Sequence, residues 1–400
     1  MGAKTRRSAA LATVLTLAGG AVLTAQTPAL AAAGWELKAM AVDKAHATTE
    51  GEGMTVAVLD TGIATDHPDL NGRATEGRDM FGEDVSGEPW YGWHGTSMAG
   101  SVLKVAPEAQ VVGYRVIRDE EDPNYSEEPE YTTQEDLGEG AELNPTAAGI
   151  LEAVQDGADV VSMSVGDGGL VLQGYDAGVA WAVEQANAQG VVVVASAGNE
   201  GGEDEDGYQQ DNEVSFPAAY PAVISVAAST PSGGRADFSQ VHNYNDVAAP
   251  GVNIESAKNT GGRETVNGTS SAAALTAGVV ALVKSANPDL APRQVSQILE
   301  STASQSGAHD PKLGFGVIDA QAAVAEAGET AAEETLLAPT GYDGPAHFGP
   351  GDDGTPASSG VGLDSEYLVI GSVLGIPGLI AVLVGIGLLV SGTRAKRPAA

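Results

Sequence analysis

TVAVLD, Thr55 to Asp60, is apolar at nearly every position and ends on an acid. A run this short, β-branched and apolar on both faces is a strand buried between two layers of helices in a parallel sheet. Outward from it the pattern repeats in QVVGYRVI (110–117), DVVSMSV (159–165), VVVVASA (191–197) and AVISVAA (222–228). The segments between them supply helices. Asn144 and Pro145 are an N-cap and a first-turn proline for TAAGILEAVQ, which stops at Gly157. A second helix is predicted through YDAGVAWAVEQANAQ, ending before Gly190. The alternation predicts an α/β fold, a doubly wound and mostly parallel sheet with helices on both faces, over residues 34–325.

The chain has 400 residues, 42% hydrophobic but only 5% aromatic, and its 54 Asp and Glu outweigh 19 Lys and Arg for a formal charge of -35. A field of that sign repels phosphate backbones, which argues against a nucleic-acid partner. With no cysteine, a thiol nucleophile, a disulfide framework and a cysteine-bound metal are excluded. No cofactor is called for. A structural calcium ion is conceivable among so many acids, but no loop has the spacing of a calcium site, and no metal ligands are assigned.

The ends are of a different kind. Lys4, Arg6 and Arg7 precede the apolar run at 11–25, and Ala29-Leu30-Ala31 follows, so residues 1–33 read as a signal peptide. Residues 368–390 carry no charge, and 23 residues at about 1.5 Å each span a hydrocarbon core of roughly 30 Å. A transmembrane helix is therefore expected at 367–390. Arg394, Lys396 and Arg397 make 391–400 a basic cytoplasmic tail, leaving the folded domain outside the cell. Residues 326–366, rich in Gly, Pro and acids, read as a stalk. LAPTG at 337–341 looks like a sorting signal, but 342–367 separates it from the span, and coincidence is the better reading.

Ligands of open parallel sheets bind beyond the carboxyl ends of the strands. Asp60 lies at such an end, although a lone Asp there is usually a turn former. His94 opens HGTSMAG (94–100), where small residues let a helix start close to the sheet. Ser270 stands in NGTSSAAALTAGVVALVKSAN (267–287), at the start of a helix with almost no polar face, which must be buried. A serine there is held rigidly beside the positive end of a helix dipole, as nucleophilic attack requires. N-capping is the plain alternative at any such position.

Taken together, VAVLDTGIATDHPDL, HGTSMAG, ASAGNEG (195–201) and NGTSSAA, in that order, resemble the subtilisin-like (subtilase, S8) serine peptidases across about residues 35–320. VSMSVG (161–166), DVAAPGVNI (246–254) and the closing helix in PDLAPRQVSQILESTAS (288–304) extend the likeness. The resemblance implies catalytic roles for Ser270 as nucleophile, His94 as general base and Asp60 as its orienting partner. It implies an oxyanion donor in the side chain of Asn199, and a substrate strand laid against Ser164, Val165, Gly166, Ser196, Ala197 and Gly198. Ser97 also sits in a GTS, but three residues after His94 on the same short helix it faces no second element, so Ser270 is preferred. Two departures stand out: Ser271-Ala272-Ala273-Ala274 lacks the proline common after the nucleophile, and Ser162 replaces a common Asn. They bear on packing and fit, not on the reaction.

Residues 119–142 carry eleven acids and residues 200–213 seven, neither with a Lys or Arg. Both are expected to be solvated loops, with an attraction for basic substrate residues as the sharper reading. WELKAMAVDKAHATTEGEGMTVAVLD resembles the mature start of mycosins, membrane-anchored subtilases associated with type VII secretion, with no room for a folded pro-domain after the signal peptide. The layout implies an endopeptidase acting on exported proteins at the membrane face, with secretion-machinery components as possible partners. The rival readings are an idle subtilase domain serving as a tethered scaffold, and a cytosolic peptidase with buried apolar ends.

Overall fold

The computed structural model describes residues 34–125, 132–133, 142–165, 174–202 and 212–333. Contacts divide the chain into units Met1–Thr340 and Gly341–Ala400, and every described residue lies in the first. The expected signal peptide, transmembrane helix and tail lie outside the described residues, as does nearly all of the stalk.

The Val-rich runs are strands because each has a helix layer on both sides. The strands are β1 (Thr55–Asp60), β2 (Ala74–Asp79), β3 (Gln110–Arg115), β4 (Thr132–Thr133), β5 (Glu142–Leu143), β6 (Val160–Met163), β7 (Val192–Ser196), β8 (Val223–Ser229), β9 (Val247–Pro250), β10 (Ile254–Ala257) and β11 (Arg263–Val266). Seven form one sheet in the order β2-β3-β1-β6-β7-β8-β9, every pair parallel. The helices are α1 (Trp35–Ala39), α2 (Val42–Ala45), α3 (Trp93–Val105), α4 (Pro145–Gln155), α5 (Ala177–Ala188), α6 (Thr269–Ala286), α7 (Pro292–Thr302) and α8 (Ala320–Glu329).

Side chains of β1 alternate between two cores. Val56 and Val58 join Met98 and Val102 of α3 and Leu275 and Val279 of α6, while Ala57 and Leu59 join Ile150 of α4 and Val183 of α5. This two-sided burial is the doubly wound arrangement expected. It also aims the next even position, Asp60, at the α3–α6 side.

The caps follow the sequence. Asn144 Oδ1 accepts from Ala147 N–H at 2.8 Å, and Asp176 Oδ1 accepts from Val179 N–H at 2.8 Å. Helix α6 is long and apolar enough to cross a membrane, yet fifteen of its eighteen residues are buried inside the domain. Helix α8 runs through residue 325, where the sequence placed the domain end, and Asn287 Nδ2 donates to the Ala327 and Thr330 carbonyls.

Gly278 lets α6 lie close against α3: a Cβ there would lie 2.6 Å from Val105 Cβ and 2.9 Å from the Val102 carbonyl oxygen. Gly278→Ala is therefore expected to cost about 1–3 kcal/mol, measured by denaturant unfolding, and to lower activity by moving the start of α6 away from α3. Unchanged stability would show that the two helices part freely.

Candidate active site

At the centre of the sheet the chain leaves β1 toward β2 on one side and leaves its neighbour β6 toward β7 on the other, which makes a crevice at the carboxyl ends. Asp60, the last residue of β1, is fully buried in it. One carboxylate oxygen accepts from Thr61 N–H at 2.8 Å, and both oxygens face His94 Nδ1, at 2.8 and 2.9 Å. His94 reaches this position because α3 begins one residue earlier and lies almost on the turn after β1. A Cβ on Gly95 would fall 2.1 Å from the Gly62 carbonyl oxygen, so only glycine allows the approach. Gly95 N–H donates to Thr61 Oγ1 at 3.1 Å and Ala64 N–H to Thr96 Oγ1 at 2.8 Å, tying turn and helix together.

Ser270 opens α6 from across the crevice. Its Oγ donates to the Ser164 carbonyl at 3.3 Å, and Ser164 Oγ donates to the Ser270 carbonyl at 3.0 Å. These bonds hold the serine at the end of β6, the neighbour of β1. Being in the first turn of α6, Ser270 N–H has no intrahelical acceptor.

Asn199 follows β7, the next strand. Its Oδ1 accepts from both Thr269 N–H and Thr269 Oγ1–H, each at 2.9 Å, and Gly198 N–H donates to Thr269 Oγ1 at 3.2 Å. With the oxygen end pinned, the exposed amide presents its donor end away from Thr269. Of the expected substrate-strand residues, Ser164, Val165, Ser196, Ala197 and Gly198 are buried, so what they offer a peptide is backbone; Gly166 lies outside the described residues. Ser97 is buried on α3, where its carbonyl accepts from Ser101 Oγ and Ser256 Oγ at 3.0 and 2.8 Å. It faces the core behind the site.

The Subtilase family profile matches residues 51–317. The chain belongs to the subtilase family. It is 34% identical over 282 residues to Subtilisin BL of Lederbergia lenta, covering 68% of this chain and 91% of that one. To Subtilisin DY of Bacillus licheniformis it is 33% identical over 288 residues, covering 68% and 92%. Among solved structures, the MycP3 protease from the type VII (ESX-3) secretion system is 28% identical with a TM-score of 0.59, over 75% of this chain and 90% of that one. MycP1 from Mycobacterium smegmatis is 25% identical with a TM-score of 0.57, over 75% and 86%. The protein is thus a subtilisin-like serine peptidase, with mycosin proteases among its structural neighbours.

In this subtilase the His94 pair is electrostatically strong. Burial opposes protonation of the imidazole, but the charge and hydrogen bond of Asp60 outweigh it and hold its pKa above the ordinary value of 6.5. The shift favours the imidazolium that forms when a hydroxyl gives up its proton.

Two carboxyls beside the site, Asp119 buried and Glu76 on the exposed edge strand, have no sequence motif. Glu76 of β2 accepts from Ile63 N–H at 2.8 Å and from Tyr91 Oη–H at 2.9 Å, joining the chain after Asp60 to the chain before His94. Asp119, in the loop after β3, accepts from Gly92 N–H at 3.0 Å. The start of the first acidic run is accordingly not a solvated loop. Asp119 and Asp122 are buried, and Asp122 pairs with the fully buried Arg115 guanidinium, which also bonds Asp79 and Glu83, each at 2.8 Å. A fully buried Arg brings acids inward that composition alone assigns to the surface.

Although the residue as a whole is exposed, desolvation of its carboxyl where it meets Ile63 and Tyr91 raises Glu76 from 4.5 to about 7. The folded protein therefore keeps this proton while the unfolded chain loses it, so stability falls as pH rises between those values. Glu76→Gln, which retains an acceptor for Ile63 N–H, is expected to gain Tm relative to wild type as pH rises from 4.5 to about 7 and to level off above. A Tm difference independent of pH would contradict the assignment.

Proposed function

We propose that the protein is a membrane-anchored extracellular serine endopeptidase that cleaves exported proteins through an acyl-enzyme on Ser270. The observation that carries the chemistry is the buried Asp60 carboxylate bonded to His94 Nδ1, with Ser270 and Asn199 held by Thr269 and Ser164 at the same strand ends. His94 Nε2 takes the Ser270 proton as Oγ attacks the scissile carbonyl, then returns it to the leaving amine. Asp60 holds the tautomer and stabilises the imidazolium. The developing oxyanion is met by Asn199 Nδ2–H and Ser270 N–H. Water, activated by the same imidazole, hydrolyses the ester. The substrate strand is held by main-chain bonds along 164–166 and 196–198.

A fluorophosphonate probe tests the roles. Wild type and Ser97→Ala are expected to label, and Ser270→Ala and His94→Ala are not. Asn199→Ala should lose about 10²–10³ in kcat with KM little changed, the loss known from the equivalent donor of subtilisin itself. Wild type that fails to label would leave an idle, tethered scaffold as the function.

The tether rests on the uncharged run at 368–390 with its basic flank, and the exported-substrate role on the likeness to MycP proteases from type VII secretion systems. Full-length protein is expected in the membrane fraction, resistant to alkaline carbonate, and protein ending at residue 340 in the medium. Full-length protein recovered in the cytosol would overturn the topology.

A further inference from the structure

The proposed mechanism uses three side chains and an amide, yet a fourth ionisable group is built into the same crevice. Asp119 stands on the loop that follows β3, the strand paired with β1, and Asp60 and Arg115 are register partners at their ends. The loop thus leaves the sheet beside the catalytic strand. Its acid is nearly inaccessible, 3% exposed, and takes the N–H of Gly92, the residue that caps α3 in a left-handed conformation with φ 65°. Gly92 itself is buried. Without Asp119 its N–H would lack an acceptor, two residues before His94.

We propose that Asp119 is a positioning residue of the triad: it fixes the first turn of α3, and its charge acts on the His94 imidazole together with that of Asp60. The proposal rests on the Asp60–His94–Ser270 reading. Thr61 and Gly95 tie the helix to the turn after β1, and Asp119 anchors it from a third element, so the backbone is held on both sides of His94. The anion also lies where the N-terminal end of α3 favours one.

The charged groups acting on each other here are few. Asp119 raises the affinity of His94 for a proton, as Asp60 does more strongly. Burial and the Asp60 charge lift Asp119 itself from 3.8 to about 7, while its hydrogen bonds and the His94 cation pull the other way. Of the other charges beside it in the loop, Asp122 is paired with Arg115 and Arg118 with Glu83, while Glu120 and Glu121 are exposed to solvent. Asp119 and His94 therefore titrate as a pair, and the acid limb of activity belongs to the pair rather than to the imidazole alone. When the Ser270 proton arrives on His94, the Asp119 anion stabilises the new cation and adds to the pull of Asp60.

The test is the second-order rate of fluorophosphonate inactivation against pH, for wild type, Asp119→Asn and Asp119→Glu, with thermal unfolding to show that each is folded. Asn keeps an acceptor for Gly92 N–H but removes the charge. Its acid-limb midpoint should fall by about 0.5–1 unit, the size expected of one charge acting through partly screened surroundings, and its plateau rate should fall severalfold. Glu should restore the wild-type midpoint. A purely structural Asp119 would lower the plateau and leave the midpoint unmoved, and that result overturns the proposal. Should neither variant fold, the wild-type His94 ring resonances decide: two inflections with pH support the pair, and a single one contradicts it. Failure of the triad reading is distinct, because wild type would then not label or Ser270→Ala would.

Discussion

The close contact between the turn after β1 and the first turn of α3 governs the whole site. With no side chain on Gly95, the helix rests against the Gly62 carbonyl and sets His94 Nδ1 within 3 Å of both Asp60 oxygens. A carboxylate removed from water is costly unless hydrogen bonds replace its hydration. Here Thr61 N–H and the imidazole replace it, and the anion left inside is the source of the high proton affinity of His94. The side-chain period of β1 decides which helix layer Asp60 meets, so the orientation of the acid is inherited from the alternation Val56, Val58, Asp60.

The serine side is built by burial. Helix α6 is embedded among α3, α7, α8 and the sheet, and its first turn is fixed by polar bonds to two strand ends, Thr269 to Asn199 after β7 and Ser270 to Ser164 after β6. The resting hydroxyl is engaged with the Ser164 carbonyl. Substrate binding along the same backbone would compete for that carbonyl's surroundings, which gives a simple means of turning the hydroxyl toward His94. Catalytic hydrogen bonds that tighten only in the substrate complex are common.

The five central strands were legible in the sequence because each is apolar on both faces, α4 from its Asn144-Pro145 start and α5 from its stop before Gly190. β2 escaped notice because ATEGRD is an edge strand, largely exposed and carrying Glu76 and Arg78 where a buried strand would carry valines. The β10–β11 hairpin carries a turn signal in Gly261-Gly262, both at positive φ, but IESA and RETV are too short and polar to read as strands. Helix α8 begins among alanines and ends in acids, so the acidic composition beyond it hid its last turn. At the site, Asp60, His94, Asn199 and Ser270 stood in motifs. Asp119 and Glu76 did not: each is one acid in a strongly acidic chain, and only the fold shows that Asp119 is buried and that Glu76 bonds Ile63 and Tyr91. The available signal was position, since Asp119 follows a strand that the sequence already placed in the sheet. Treating 119–142 as uniformly solvated overlooked the lone Arg115 at that strand's end, a buried cation that requires acids around it.

The most direct measurement is a crystal structure of the protein after reaction with a peptidyl phosphonate. The account predicts phosphorus bonded to Ser270 Oγ, a phosphonyl oxygen about 2.7–3.1 Å from Asn199 Nδ2 and Ser270 N, and His94 Nε2 within hydrogen-bonding reach of the adduct. An adduct on another residue, or one on Ser270 with the imidazole turned away and Asn199 still remote, would contradict it.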